Sequence, residues 1–356
     1  MILTTLLVAA MMPPDFASQL WQALPKSRGN VVVSPTSIEA CLGLLIPAVG
    51  ASSKPALAQT LGTNVSDLPA YGTKLQNRIK TLTAGGEVNV ANAGFFSETP
   101  RPTFVAALKA YGATAERFQS LQQVNGWVDE KTKGRIPKLF TRLDPKTHAI
   151  LVNAVTFDGD WQTAFDPKLT QKAEFKTPGG TKSVDMMRSP KLNGSYAEGH
   201  GWKGVELTYK GGHYRMTVML PDAGDPASIF NDPNWTSVEA QRGTIDLSLP
   251  RFTVRSQPDV EQALKAMGLA PLFSRIDLSP ALPGGANDNI DQIAHQTWVK
   301  VDEKGTQAAA ATGVAVSRAA YIPQRTIVFR VDRPFAFAIR QADSGEILFQ
   351  GVVREP

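Results

Sequence analysis

The sequence predicts an α+β fold. Helical periodicity dominates the first half of the chain, period-two alternation dominates from Lys172 to Phe349, and neither an internal repeat nor a linker long enough to divide domains interrupts it. With 356 residues, 42% of them hydrophobic and 19% charged, a sizeable core is available to one domain. Residues 14–356 are therefore expected to form a single domain, preceded by a signal-like or unstructured segment over 1–13.

In that segment MILTTLLVAAMM resembles a short secretory h-region with a Val8-Ala9-Ala10 cleavage pattern, although no cation precedes it. It is far too short for a membrane span of about 20 residues. Secretion to the exterior or the periplasm is preferred, and a cytoplasmic location stays open. Residues 14–24 set Phe16, Leu20 or Trp21, and Leu24 on one helical face, with Asp15 placed to complement the helix N-terminus. VVVSPTSIEACLGLLIPAVG then gives a short strand and a helix opened by Ser34-Pro35-Thr36-Ser37, apolar nearly all round and so expected to be central and buried. The segment KPALAQTLG forms another short helix. GTKLQNRIKTLT gives an amphipathic surface helix whose Lys74, Arg78 and Lys80 are read as a solvated face.

EVNVANAGFFSE alternates as a strand, PTFVAALKAYGA returns to helix, and VNGWVDEKTKGRIPKLF is a surface helix running into a loop at Gly134. AILVNAVTFDGDW has the unbroken apolar character of a strand covered on both faces. Strands follow in AEFKTP, SVDMMRS, GVELTYKGG, YRMTVMLPD and TIDLSLPRFTVR. One helix interrupts them at DVEQALKAMG, with Asp259 near its start and Gly268 as its stop.

The formal charge of +5 is thinly spread and no run of five like charges occurs, so nothing points to nucleic acid. The single cysteine, Cys41, excludes an intrachain disulfide and reads as a small buried hydrophobe. His148, His200, His213 and His295 lack metal-ligand spacing, and HExxH, CxxC, GxSxG and Walker patterns are absent from the sequence. No cofactor is implied, and a monomer that is not an enzyme is expected.

The most informative stretch is Glu303 to Pro323, EKGTQAAAATGVAVSRAAYIP. Strand patterns flank it, yet it is far longer than a usual connection of about 4–6 residues. Four consecutive alanines, Ala308 to Ala311, and a single cation, Arg318, mark residues 305–320 as unable to anchor a core. Thr306, Ala308, Ala310, Thr312, Val314 and Val316 form one small apolar or neutral face, and no proline precedes Pro323. Every backbone N–H from Gly305 to Ile322 is thus available to a sheet ladder, and the loop can become a strand.

Four segments in order, NVVVSPTSIEA, LVNAVTFDGDWQTAFDP, VDEKGTQAAAATG and DRPFAFAIRQADSGEILFQGVVREP, resemble the serpin family, a likeness running from Phe16 to Pro356. The resemblance implies three β-sheets and about eight or nine helices, with the long reactive-centre loop exposed above a central mixed sheet of five strands. It also implies a metastable state, in which the loop is held outside a sheet that it would stabilise by entering.

Residue by residue, Glu303, Lys304, Gly305, Thr306, Gln307, Ala308, Ala309, Ala310 and Ala311 match the family's hinge. Ser34, Pro35, Ser37, Asn153 and His295 match the cluster called the shutter, under the central sheet. Trp161, Arg251 and Glu303 match the breach where the loop first enters, and Arg251 is expected to pair with Glu303. Counting from Glu303 places the scissile bond between Ala319 and Ala320, with Arg318–Ala319 as the alternative. The first register suits an elastase-like or subtilisin-like serine protease and is preferred; the second suits a trypsin-like one. The function implied is suicide-substrate inhibition, and the alternative is a non-inhibitory binding, carrier or chaperone member.

Overall fold

The structure, a computed structural model, describes residues 16–144, 147–232, 235–237, 241–306 and 326–356. Helix α1 (Phe16–Ala23) turns its buried Ala17, Leu20 and Trp21 inward and is followed by strand β1 (Val31–Val33). Helix α2 (Pro35–Gly43) begins where Ser34 Oγ accepts the Ser37 N–H at 3.3 Å and Pro35 opens the first turn. All nine of its residues are buried, Cys41 among them, as an all-round apolar helix requires.

Helices α3 (Lys54–Thr60) and α4 (Leu68–Thr83) lead to strand β2 (Val88–Phe96), helix α5 (Pro102–Ala110), strand β3 (Thr114–Arg117) and helix α6 (Leu121–Lys131). On α4, Lys74 and Lys80 are exposed, but Arg78 departs from the solvated face expected of it. It turns inward to Glu39 of α2 and, at 2.8 Å, to Glu346 near the C-terminus. Two carboxylates drawn together by the fold outweigh hydration of the guanidinium there.

Strand β4 (Ala149–Phe157) is buried at every position and runs into the short β5 (Gly159–Asp160). The chain continues as β6 (Gln171–Thr177), β7 (Gly180–Gly199), β8 (Trp202–Thr208), β9 (Tyr214–Pro221), β10 (Gln241–Pro250) and β11 (Phe252–Ser256). Helix α7 (Val260–Leu264) is capped by Asp259, whose Oδ1 accepts the Gln262 N–H at 2.9 Å. It ends through a π turn in which Gly268 takes φ 101°, a conformation open to glycine. Strands β12 (Gln292–Val301), β13 (Gly305–Thr306), β14 (Ile327–Arg330), β15 (Phe335–Gln341) and β16 (Ile347–Val353) complete the chain.

These strands form three sheets. The largest runs β1-β16-β15-β9-β8-β7-β10-β14 with β6 on β7, the 20-residue β7 serving both halves. The central sheet has five strands in the order β11-β12-β4-β2-β3, and it is mixed: β12 and β4 are parallel, as are β2 and β3, while the other neighbours are antiparallel. The third is the two-stranded ribbon β13-β5.

One core cluster, rich in phenylalanine (Phe157, Phe175, Phe335, Phe337), lies between the two large sheets. A second packs α2, α3, α5 and α7 beneath the central sheet. On the opposite face Val124 and Val128 of α6, with Ile136, Leu139 and Phe140 beyond it, cover Ile150, Val152, Ala154 and Trp298. The parallel neighbours β4 and β12 are therefore covered on both sides, and each large apolar side chain so buried contributes about 1.5–3 kcal/mol.

Candidate functional site

The site begins where β12 ends. After Val301 the chain turns through Asp302, whose Oδ1 accepts the Lys304 N–H at 3.0 Å, and returns as β13 against β5, with Gly305 opposite Asp160 and Thr306 opposite Gly159. Gly305 lies at φ 153°, and a Cβ there would stand 2.1 Å from the Gly159 carbonyl oxygen. Only glycine permits the two backbones to approach so closely.

Trp161 binds this turn at two points. Its backbone N–H donates to the Lys304 carbonyl at 2.8 Å and its indole N–H to the Asp302 carbonyl at 3.0 Å. The indole itself is buried and stacked on Tyr209, with centroids 4.5 Å apart and planes 18° off parallel. The Phe165 N–H donates to the Glu303 carbonyl at 2.8 Å.

The Glu303 side chain folds inward and is 6% exposed. Arg251 Nε lies 2.8 Å from both of its carboxylate oxygens, Arg251 Nη2 completes the fork, and the Thr170 hydroxyl donates to Oε1. Burial would raise the Glu303 carboxyl, but these hydrogen bonds outweigh it and hold it below the usual carboxylate range. Glu303, Lys304, Gly305, Trp161 and Arg251 thus meet at one end of the central sheet. Thr170 lies some 130 positions from Glu303, and no local pattern marked it.

Midway along the sheet a second polar group ties β4 and β12 to α2. His295 pairs with Asn153 across the parallel ladder. His295 Nε2 accepts the Ser34 N–H at 3.1 Å, so Nδ1 carries the proton and donates to Asn153 Oδ1. The Asn153 amide donates to the Ser37 carbonyl at 3.0 Å, to Ser37 Oγ at 2.6 Å and to Asn92 Oδ1. Burial pushes the imidazole down to about 3, and it is neutral at pH 7.

Pro35 fixes the start of α2, from which Ser34 and Ser37 reach the sheet. Ser34, Pro35, Ser37, Asn153 and His295 are thereby brought together. Asn92 of β2 belongs to the same network, and nearby Ser256 and Thr297 bind the Val32 N–H at 2.9 Å and the Val32 carbonyl at 3.1 Å. In the sequence Asn92 has the look of an ordinary position in an alternating strand; only its neighbour across the ladder, Asn153, shows what it is for.

Gln307, Ala308, Ala309, Ala310, Ala311, Arg318, Ala319 and Ala320 lie outside the described residues, as does the segment 1–13. Among the described residues no group of three or more His, Cys, Asp or Glu side chains could hold a metal ion, and no helix is long and apolar enough to cross a membrane. What the described geometry offers is a two-strand seam, covered on both faces and closed by polar contacts, with the first two residues of a further strand already paired at its end.

Residues 12–356 match a family model described as Serpin (serine protease inhibitor). The chain is 31% identical to Iripin-2 of Ixodes ricinus, over 96% of this chain and 91% of that protein. It is 30% identical to the leukocyte elastase inhibitor of Sus scrofa, over 96% and 97%. Among solved structures, the thermophilic serpin tengpin in its native state superposes with a TM-score of 0.86 at 25% identity, covering 96% of this chain and 93% of its own. Human thyroxine-binding globulin complexed with thyroxine does so with a TM-score of 0.86 at 25% identity, covering 96% and 97%.

Proposed function

Since the chain belongs to the serpin family, whose members include inhibitors and thyroxine-binding globulin alike, we propose that this one inhibits serine proteases as a suicide substrate. The protease serine attacks the carbonyl of Ala319, or of Arg318 in the alternative register, and forms an acyl-enzyme. The freed loop then enters the seam between β4 and β12 and carries the protease with it before water can release the ester. The chain itself supplies no catalytic group, and residues 14–356 act as one domain.

The observation that carries this reading is the register of β13. Gly305 opposite Asp160 and Thr306 opposite Gly159 form an antiparallel pair. Continued down β4, that pairing sets Ala308 opposite Phe157, Ala310 opposite Val155 and Thr312 opposite Asn153. On the other side of the seam Thr312 falls beside His295, because His295 already pairs with Asn153. Thr312 therefore arrives where the Asn153–His295 hydrogen bond must part, and it brings a hydroxyl able to serve either partner.

From Thr306 to Val316 the positions on that face are threonine, alanine or valine, so inserting them buries no charge and leaves few polar groups unmet. One parallel ladder is exchanged for two antiparallel ones, the more stable arrangement per residue. About 15 inserted residues at about 3.3 Å each displace the protease by about 50 Å.

The test is to mix the full chain with elastase, subtilisin and trypsin. A band of combined mass that survives SDS is expected with at least one of them, and mass spectrometry of the released peptide should place the cut after Ala319 or Arg318. Cleavage at that bond by every protease tried, with no such band, would refute inhibition. Thermal melting before and after cleavage then separates the carrier reading, which predicts no large rise in midpoint, from an insertion-competent loop.

A further inference from the structure

Strand insertion, on which this inference rests, requires β4 and β12 to move from neighbours about 4.8 Å apart to next-nearest neighbours about twice that distance. One side chain outside the polar cluster bridges the two at the end where insertion begins. Arg135 follows α6 in a turn where Lys133 (φ 53°) and Gly134 (φ 78°) are both left-handed. Its guanidinium pairs with Asp158, the residue after β4, and its Cζ lies 5.4 Å from the centroid of the Trp298 ring on β12.

Trp298 pairs directly with Thr156 across the seam. Arg135 therefore holds one strand by charge and the other by its cationic face on the indole.

The backbone that carries Arg135 is itself fastened. The Ile136 N–H donates to Thr132 Oγ1 at 3.0 Å, Asn125 Oδ1 accepts the N–H groups of Leu139 and Phe140 at 2.9 Å each, and Ile136, Leu139 and Phe140 are buried. Arg135 therefore cannot follow both strands as they separate. The contact is also only partly made: Arg135 Nε and Asp158 Oδ1 are buried without hydrogen-bond partners among the described residues. A fork satisfied at every atom would hold far harder.

A strand that continues β13 into the seam enters first between Asp158 and Trp298. We infer that Arg135 is a positioning residue for insertion, a latch that keeps the head of the seam closed by holding Asp158 and Trp298 together and releases one of them when a strand enters between them. With a strand between them the two partners stand too far apart for one guanidinium, so the latch stabilises only the uninserted form.

The experiment compares the intact chain and the loop-cleaved chain in guanidinium unfolding for the unmodified protein, Arg135→Ala, Arg135→Lys and Asp158→Asn, together with the rate of insertion that follows cleavage of the loop. Arg135→Ala and Asp158→Asn should lower the midpoint of the intact form, leave that of the cleaved form unchanged and speed insertion three- to tenfold, while Arg135→Lys keeps the ion pair and recovers part of the delay. Should Arg135→Ala not fold, Asp158→Asn carries the comparison. Equal losses in both forms, or insertion rates within twofold of the unmodified chain, would overturn the latch alone. Cleavage that fails to raise the midpoint of the unmodified chain would overturn the insertion reading, and the latch with it.

Discussion

Arg251→Ala should cost the intact chain more stability than Glu303→Gln, although both break the same ion pair. The asymmetry follows from exposure. Glu303 is buried, whereas the Arg251 side chain is 43% exposed and retains Asp185 within 4.0 Å. Neutralising Glu303 leaves Arg251 free to turn into water and removes roughly one hydrogen-bonded contact, about 1 kcal/mol.

Removing Arg251 instead strands a buried carboxylate with the Thr170 hydroxyl as its remaining side-chain donor. Losing one partner of a buried pair costs about 3–5 kcal/mol, and the half-open position of this one argues for about 2–3. Urea unfolding at pH 7 reads both values. The double variant should lose no more than Arg251→Ala alone, because the stranded charge is gone.

The pH dependence supplies a check of sign. The pair holds the Glu303 carboxyl below its ordinary value, so its stabilisation is present above about pH 4.5 and fades as pH falls through the folded value. The gap between Arg251→Ala and Glu303→Gln should therefore narrow at pH 4. If Glu303→Gln proves as costly as Arg251→Ala at pH 7, or if the two losses add, the assignment of the carboxylate as the buried partner is wrong.

Two further outcomes are expected. His295 is depressed to about 3 by burial, against about 6.5 when unfolded, so the unfolded chain takes up a proton first as pH falls. Its share of stability is complete above pH 6.5, is about 2 kcal/mol smaller at pH 5 than at pH 7 and is lost as pH approaches 3; urea midpoints for His295→Gln that keep the same slope would disprove it. Thr306→Arg should turn inhibitor into substrate while the chain still folds, because insertion would carry an unpaired charge onto the face that buried Phe157 occupies. Undiminished complex on SDS gels would contradict that.

What the sequence reveals about this protein is mostly what one segment can say alone. The unbroken apolar run of β4, the Ser34 and Asp259 caps and the Gly268 stop each express a local physical demand, and each was legible. The polar partnerships were not, because they join positions far apart in the chain. Arg78 reads as a surface cation on an amphipathic helix until Glu39 and Glu346 are brought to it. Asn92, Thr170 and Arg135 have no local pattern at all; their meaning comes from a strand or loop delivered by the fold. The resemblance to a family supplied Arg251 and His295, which composition and spacing would have left as ordinary residues.

The placement of β14 sets a limit on what an uncut chain can do. Ile327 is fixed to Ile245 of β10, at the far side of the same segment that leaves β13 at Thr306. Twenty-one residue steps join those two anchors, a leash of at most about 75 Å even when taut. Laying about 15 residues into the seam, about 50 Å, and returning the same distance would take about 100 Å. While both ends stay moored the leash is too short, so deep insertion is a question of arithmetic before it is one of energy. Cutting the peptide bond would abolish the return journey at a stroke, and under the inhibitory function proposed above the protease would supply the missing length by its own cut.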